Sequence, residues 1–465
     1  MCKERHMSRI FLENAAIIAT MDPDIGDVEH GNVVIENGRI KEIVHTIPQE
    51  IDGKRINMSG CVVVPGFINL HHHFYQTLTR AYPDAVDTEL FDWLVSLYPI
   101  WAGLHTESIE LSTKLAMAEL LLSGCTTTVD HHYVFPAAYQ EKLIDTQVGV
   151  ARELGMRFVA TRGSMSRGKT AGGLPPDQVV QDESHIIKDS RRLIESYHDP
   201  SPFAMIQISL APCSPFSISP KLMQETANLA EDLDVRLHTH LAETKDELDY
   251  CRRIYGCSPV QLLRKTGWLS SRTWVAHGIH FTDEEITILG DNRVGIAHCP
   301  TSNMRLGSGI APVLALRSAG CPVGLGVDGS ASNDSSHMLM ELRQSLLIGR
   351  LGAGPSDYSV RLPLELATIG GAQCLGRATA LGRISPGYAA DIAAFDIMDI
   401  YHSGAIDPIA GLILCAPREV RHLFIAGEHI VDSGKIRGLN LPSLVEQHRE
   451  ESDRLVQSLG ISDKG

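Results

Sequence analysis

The sequence lacks any apolar run of about 18 residues, the minimum for a membrane-spanning helix. It also lacks the apolar stretch and cleavage site of a secretory leader, since Lys3, Glu4 and Arg5 interrupt the N-terminus. These two absences argue against a membrane protein and against secretion. We therefore expect a cytoplasmic protein that has no membrane partner.

Paired cysteines and an excess of positive charge are also missing. The ten cysteines are scattered without a C-x-x-C pair, and a chain of 465 residues does not need disulfides, so free thiols are expected. The sequence has 41 Lys and Arg against 56 Asp and Glu, a net charge of −15. A negative field of this size opposes binding to phosphate backbones, which makes nucleic acid an unexpected partner.

Short strands and tight turns fill the first 65 residues and return near the C-terminus at Ala389–Phe395 and Val420–Ala426. Because chain termini commonly lie close together, these two regions are expected to form one small β-sandwich. We therefore predict a sandwich from residues 1–66 and 381–440, a central domain at 67–380 and a charged helical tail at 441–465.

Between the two β-rich ends, short apolar strands alternate with amphipathic helical stretches such as Glu107–Ser123, Lys221–Leu233 and Ser336–Leu351. Eight strands alternating with helices predict an α/β fold, a TIM-like (β/α)8 barrel. The predicted strands are Val64–Asn69, Thr126–Asp130, Arg157–Arg162, Met205–Leu210, Val235–His240, Thr273–His277, Val294–His298 and Val323–Val327.

Polar residues stand at the carboxyl ends of several predicted strands, where barrel active sites lie. Strand one ends in Leu70-His71-His72-His73, and alternation along a strand places His71 and His73 on one face. Two imidazoles on one inward face can chelate a divalent ion, and neutral imidazole suits zinc. The competing interpretation is a polar loop at the surface, but the preceding apolar run Val62–Ile68 favours metal ligands.

Strand five adds His240 as a third candidate ligand, with Glu243 three residues later and positioned to exchange protons with a substrate. Strand six ends at His277 and strand eight at Asp328. Each of these residues also has an ordinary explanation, as a buried histidine, a helix N-terminal acid or an N-cap. All of them at one barrel mouth predict a metal site.

These residues, in this order, resemble the amidohydrolase superfamily and specifically its cytosine/guanine/triazine deaminase branch. The resemblance covers nearly the whole chain. It rests on Pro65–Asn69 leading into His71-x-His73, on His240-x-x-Glu243, on His277, on Ser302–Pro312, on Val327–Asn333 and on Gly387–Ile392.

The resemblance implies a hydrolytic deaminase with one Zn²⁺ held by His71, His73, His240 and Asp328. Relatives with two metals carry a bridging lysine at the end of strand four, and Gln207–Pro215 contains none. It further implies that His277 and Asp328 take a proton from water and that Glu243 gives one to a ring nitrogen.

Within that branch, the segments His71–Arg80, Thr161–Ser166 and Leu210–Ser217 look like those of 8-oxoguanine deaminases. This likeness implies a small heterocyclic base as substrate, with 8-oxoguanine and water giving urate and ammonia. Gln76, Arg162 and Cys213 are the corresponding candidates for substrate binding.

Two alternatives stay open on the sequence, another enzyme of the same branch and a protein without catalytic activity. Isocytosine, isoxanthopterin or guanine can replace 8-oxoguanine as the substrate, and a hydroxylated triazine is a further option. A non-catalytic scaffold is the alternative of a different class. We also expect a homo-oligomer, with Ile409–Cys415 and the insertion Asp87–Trp101 as candidate subunit contacts, the insertion alternatively forming a lid.

Overall fold

The structure is a computed structural model, which describes residues 9–48, 50–137 and 142–457. Its strands are β1 (Arg9–Glu13), β2 (Ile17–Ala19), β3 (Asp27–Glu29), β4 (Asn32–Glu36), β5 (Arg39–Val44), β6 (Lys54–Asn57), β7 (Cys61–Pro65), β8 (Phe67–Asn69), β9 (Cys125–Asp130), β10 (Arg157–Ser164), β11 (Ile206–Pro212), β12 (Arg236–Leu241), β13 (Thr273–His277), β14 (Gly295–His298), β15 (Val323–Leu325), β16 (Ile392–Asp396), β17 (His422–Ile425), β18 (Glu428–Asp432) and β19 (Lys435–Ile436).

The α-helices are α1 (Leu90–Trp101), α2 (Thr106–Leu122), α3 (Leu143–Leu154), α4 (Glu183–Tyr197), α5 (Pro220–Asp232), α6 (Lys245–Tyr255), α7 (Pro259–Lys265), α8 (Asp283–Asp291), α9 (Pro300–Arg305), α10 (Val313–Ser318), α11 (Met338–Ala353), α12 (Leu362–Glu365), α13 (Gly371–Cys374), α14 (Pro408–Leu414) and α15 (Leu441–Gln457). A 3₁₀ helix, Phe74–Thr79, follows β8. None of the helices in the described residues combines the length and apolar character needed to cross a bilayer.

Strands β8 to β15 form one parallel sheet in chain order, with helices between them. The sheet closes on itself because the amide of Leu70, just after β8, donates to the carbonyl of Leu325 in β15 at 2.9 Å. Past this point the amide of Asp328 donates to the carbonyl of His71 at 3.0 Å. The predicted (β/α)8 barrel is confirmed.

The small domain is the predicted sandwich and contains strands from both ends of the chain. One sheet, in the order β5-β4-β1-β6, comes from the N-terminal part, while the other, in the order β19-β18-β17-β16-β7-β2-β3, combines both parts. The two sheets share a buried cluster that includes Val33 and Ile35 from the first and Val63 and Phe424 from the second. The exact domain boundaries stay a prediction.

The prediction of a single strand at Val64–Asn69 is wrong, because the chain changes sheets at Gly66. The preceding strand β7 pairs with β16 of the sandwich, whereas β8 pairs with β9 of the barrel. A Cβ at Gly66 would lie 2.2 Å from the side chain of Thr126, so only glycine fits this junction.

The apolar residues Ile409, Leu412 and Ile413 of α14 are buried inside the chain rather than exposed for subunit contacts.

A buried ion pair joins the two domains. Arg157 of β10 donates to both carboxylate oxygens of Asp391, next to β16, from Nε at 2.9 Å and from Nη2 at 3.0 Å. The Arg157 side chain is fully buried, and Asp391 Oδ1 also accepts from the amide of Ala426 at 2.7 Å.

Replacing Asp391 with alanine therefore leaves a buried guanidinium without its counter-ion. We expect Asp391→Ala to lower the free energy of unfolding by about 3–5 kcal/mol, as for other buried pairs broken on one side. The control is Asp27→Ala, which breaks the partly exposed Arg361–Asp27 pair and should cost less than about 1 kcal/mol. Urea denaturation measures both, and equal losses would contradict the structural role of the buried pair.

Candidate active site

Three histidines from two barrel strands meet at the carboxyl end of the barrel. His71 and His73 follow β8, and His240 lies in β12. Their side chains are buried, with 0%, 3% and 8% of each residue exposed. Burial lowers the pKa of His71 and His240 well below the ordinary value, so both imidazoles are neutral at neutral pH and can act as ligands.

Backbone carbonyls determine which ring nitrogen of His73 and His240 carries the hydrogen. The Nδ1 of His73 lies 2.7 Å from the carbonyl oxygen of His131, and that of His240 lies 2.7 Å from the carbonyl oxygen of Cys213. A carbonyl only accepts, so Nδ1 must donate in both rings and Nε2 keeps a lone pair. Both Nε2 lone pairs face the site, where the two atoms are 3.2 Å apart.

Asp328 brings a carboxylate oxygen to the same point. Its Oδ1 lies 3.3 Å from His71 Nε2 and 3.2 Å from His73 Nε2. Its backbone has a φ of +62°, a strained value that clusters at functional sites.

The donor set fits a single zinc ion. A tetrahedral zinc with bonds of about 2.0–2.2 Å has ligands about 3.3–3.6 Å apart. The His71–Asp328, His73–Asp328 and His73–His240 distances of 3.2–3.3 Å are close to this range. The Nε2 of His71 is buried without a hydrogen-bond partner. Converging lone pairs and a carboxylate repel one another unless a cation lies among them.

A second set of ligand atoms adds His131, which the sequence analysis missed. It groups with His71, His73 and His240 within 4.8 Å. Its Nε2 lies 2.9 Å from the carbonyl oxygen of Ala211, and its buried Nδ1 has no partner. The one available signal was its place directly after a predicted barrel strand, at the carboxyl end of β9.

Glu243 and His277 lie beside the candidate metal site. The Nε2 of His277 is 3.5 Å from a carboxylate oxygen of Glu243 and 3.9 Å from Asp328 Oδ2. The other ring nitrogen, Nδ1, is 2.9 Å from the side-chain oxygen of Asn303. Burial and then the charge of Asp328 raise the pKa of Glu243 well above its usual value, so this carboxyl can keep a proton at neutral pH.

Glu247 supports the turn that carries Glu243, and sequence reasoning missed it. Its two carboxylate oxygens accept from the amide of Ala242 at 2.8 Å and from that of Glu243 at 3.1 Å. Ala242 has a φ of +52°, so this turn is held against local strain. The available signal was Thr244, an N-cap followed three residues later by a glutamate, the pattern of a capping box.

A cavity that opens to solvent adjoins these groups. Gln76 and Cys213, both predicted to bind substrate, line it. A Cβ at Gly329 would lie 1.8 Å from the amide oxygen of Gln76, so this glycine makes room for that side chain. Burial raises the pKa of the Cys213 thiol to about 12, which leaves the thiol neutral. Helix α1 lines one side of the cavity with Leu90, Trp93, Leu94 and Tyr98. The interpretation of the insertion Asp87–Trp101 as a lid stays a prediction.

Arg162, the third predicted substrate contact, is not among the lining residues. Its guanidinium is buried elsewhere, with Nε donating to Asp189 at 2.7 Å and Nη2 to Gln181 at 2.9 Å. The same group lies over the ring of Phe135, 4.0 Å from its centroid. The structure thus places Arg162 in a buried ion pair outside the cavity lining and brings together the other predicted site residues.

A closed barrel with three histidines and an aspartate at its mouth, and a further histidine and a glutamate beside them, defines a metal-dependent hydrolase. A model of the amidohydrolase family matches residues 62–430. The chain belongs to the amidohydrolase family, which confirms the resemblance seen in the sequence.

Similar proteins span the whole chain. It is 49% identical over 452 residues to 8-oxoguanine deaminase of Pseudomonas aeruginosa, covering 97% of this chain and 100% of the relative. It is 34% identical to an isoxanthopterin deaminase from an unknown prokaryotic organism, covering 87% and 88%. Among solved structures, atrazine chlorohydrolase of Arthrobacter aurescens complexed with zinc aligns with a TM-score of 0.91 and 33% identity, covering 96% and 100%.

Replacing Glu247 with glutamine tests the support of the turn. The amide nitrogen of glutamine cannot accept, so one of the two buried N–H groups loses its partner. We expect a kcat roughly 10- to 100-fold lower, because small displacements of a reacting group have effects of this size. The metal content should not change.

The matched control is Glu451→Gln, at a buried glutamate that bonds Ser108 far along the chain. This control should keep the wild-type kcat. Full activity of the Glu247→Gln protein at wild-type metal content would show that the turn does not need the second acceptor.

Proposed function

We propose that this chain is a zinc-dependent deaminase that hydrolyses 8-oxoguanine to urate and ammonia. The observation that carries the chemistry is the convergence of the Nε2 atoms of His71 and His73 with Asp328 Oδ1 at 3.2–3.3 Å. The observation that supports the substrate is the 49% identity, over 97% of the chain, to an 8-oxoguanine deaminase.

His71, His73, His240 and Asp328 are the proposed ligands. When bound, zinc lowers the pKa of a water molecule to about 7 and so provides a nucleophile at neutral pH. The structural relative from Arthrobacter aurescens is complexed with zinc, which supports the choice of metal.

The side chains around the site divide the proton transfers between them. His277 Nε2 and Asp328 Oδ2, 3.9 Å apart, hold the attacking water and take its proton. The Glu243 carboxyl gives a proton to the ring nitrogen next to the carbon under attack, so negative charge does not accumulate on the ring. As the water oxygen bonds to the ring carbon, the proton taken from water passes to the amine, and the C–N bond breaks to release ammonia. The proton on the added hydroxyl returns to Glu243 as the carbonyl of the product forms.

The cavity lining favours a flat and uncharged substrate. It includes the aromatic residues Trp93, Tyr98, Tyr133 and Phe216, and within the described residues it contains no lysine or arginine. Aromatic faces stack on heterocyclic rings, and the lack of a cation disfavours substrates with a phosphate or carboxylate group.

Gln76 is the residue proposed to hydrogen-bond to the polar edge of the base. Its side-chain oxygen is 3.4 Å from the amide of Ala331, while its amide nitrogen is buried without a partner. A free donor of this kind can bond a purine carbonyl, and without a ligand it stays unsatisfied. Cys213 is proposed to line the same pocket with an uncharged thiol.

Two broader expectations belong to the same proposal. A cytoplasmic location agrees with the free state of every cysteine that the structure describes. A homo-oligomer is supported by the exposed apolar side chains of Ile400 and Ile406, which are 82% and 95% exposed.

Ammonia release from a panel of bases tests the substrate. We expect the zinc-loaded enzyme to give the highest kcat/KM with 8-oxoguanine, ahead of isoxanthopterin, guanine, isocytosine and a hydroxylated triazine. Isoxanthopterin is the informative competitor, because a relative at 34% identity is named for it. Turnover of another base with none of 8-oxoguanine would overturn the substrate and leave the deaminase chemistry in place.

Glu243→Gln tests the proton donor. Glutamine keeps the shape of the side chain but cannot exchange a proton, so we expect kcat to fall by about 10²–10⁴-fold. Zinc content, measured by atomic spectrometry, should equal that of the wild type, because Glu243 is not a proposed ligand. A variant that retains both zinc and wild-type kcat would remove Glu243 from the mechanism.

A further inference from the structure

We propose that His238 is a positioning residue that sets the tautomer of His71 and so keeps the Nε2 of His71 free for zinc. This inference rests on the proposed function insofar as His71 is taken as a zinc ligand. His238 lies in β12, two residues before His240, and its side chain is fully buried. The site residues predicted from the sequence were all proposed to contact the metal, the water or the substrate, whereas His238 would act through His71.

The orientation of His238 comes from the neighbouring strand. Its Nδ1 lies 3.0 Å from the carbonyl oxygen of Trp274, the residue that pairs with it in the β12–β13 register. The imidazole also stacks on the Trp274 indole, with ring centroids 4.5 Å apart and planes at 16°. Since a carbonyl only accepts, Nδ1 of a neutral His238 carries the hydrogen and Nε2 keeps a lone pair.

That lone pair is directed at His71. His238 Nε2 and His71 Nδ1 are 2.8 Å apart, so His71 must donate from Nδ1. Its own Nε2 is then unprotonated, which is the form that binds a metal. His71 therefore donates to His238, and His238 donates to the carbonyl of Trp274. If both rings are neutral, each must carry its hydrogen on Nδ1.

Trp274 also holds the backbone on the other side of His71. Its indole N–H donates to the carbonyl of Leu70 at 3.2 Å, so one buried residue supports both the histidine pair and the chain that precedes His71. Second partners of this kind orient metal-binding histidines and raise their basicity.

His71 differs in this respect from the two other proposed histidine ligands. The Nδ1 atoms of His73 and His240 face backbone carbonyls, which no substitution of a side chain removes. Without His238, the hydrogen of His71 can move to Nε2, 3.3 Å from Asp328 Oδ1. A hydrogen bond there would join two ligands to each other and compete with the cation.

Two substitutions at position 238 separate hydrogen bonding from packing. His238→Phe fills the space without an acceptor, whereas His238→Gln supplies an amide oxygen for His71 and an N–H for Trp274. We expect His238→Phe to weaken zinc binding by about 10- to 100-fold, the usual effect of losing such a partner. We expect His238→Gln to restore most of the affinity.

The measurement is the zinc Kd of the metal-free protein, determined by competition with a chromogenic chelator. The matched control is His132→Phe, which removes another fully buried imidazole outside the proposed ligands and should leave the Kd unchanged. An unchanged Kd for His238→Phe would overturn the proposal, as would an equal loss for His238→Gln.

A measurement on the unaltered protein covers the case in which His238→Phe does not fold. Long-range ¹⁵N–¹H correlations of the imidazoles in the metal-free enzyme, assigned with His71→Gln, report which nitrogen is protonated. The proposal requires hydrogen on Nδ1 of His71, and hydrogen on Nε2 would overturn it. Failure of the wild type to bind zinc would instead overturn the proposed function.

Discussion

Electrostatic repulsion among buried ligand atoms is the constraint around which the site is arranged. The carbonyl partners of His73 and His240 force their Nε2 lone pairs into the centre, and Asp328 adds a carboxylate oxygen at 3.2–3.3 Å. In a medium of low polarity such a group is stable when a cation balances it. A zinc ion held by these residues would also acidify a water molecule, so the group that balances their charge would also supply the reactivity.

The barrel supplies the geometry that this constraint needs. Closure between β8 and β15 places Asp328 beside His71 through a 3.0 Å backbone bond, although the two residues are far apart in the chain. The small sandwich is attached to the barrel next to β8, because the chain runs from β7 to β8 through Gly66. The buried Arg157–Asp391 ion pair also joins the two domains. The barrel strands therefore carry the proposed ligands, and the turn at Glu243 carries the proposed proton donor.

The sequence was sufficient for the features that follow a period or a local spacing. Alternating strands and helices predicted the barrel, and the spacing of His71 and His73 predicted their shared face. Long-range partners were beyond such reasoning. Arg162 was assigned to the substrate because its ion pair with Asp189 depends on how α4 packs. His238 was missed because its partner, a ring from another strand, becomes its neighbour on folding. Glu247 has local partners, the amides of Ala242 and Glu243, but its spacing from Thr244 predicts a helix N-terminus and not a contact with this turn.

The central claim is that His71, His73, His240 and Asp328 bind one zinc ion. X-ray diffraction from crystals of the zinc-loaded protein, with anomalous data collected at the zinc absorption edge, tests it most directly. The account predicts one anomalous peak per chain, within about 2.0–2.2 Å of three imidazole nitrogens and one carboxylate oxygen. A peak elsewhere in the chain, or none between these side chains at full zinc loading, would contradict it.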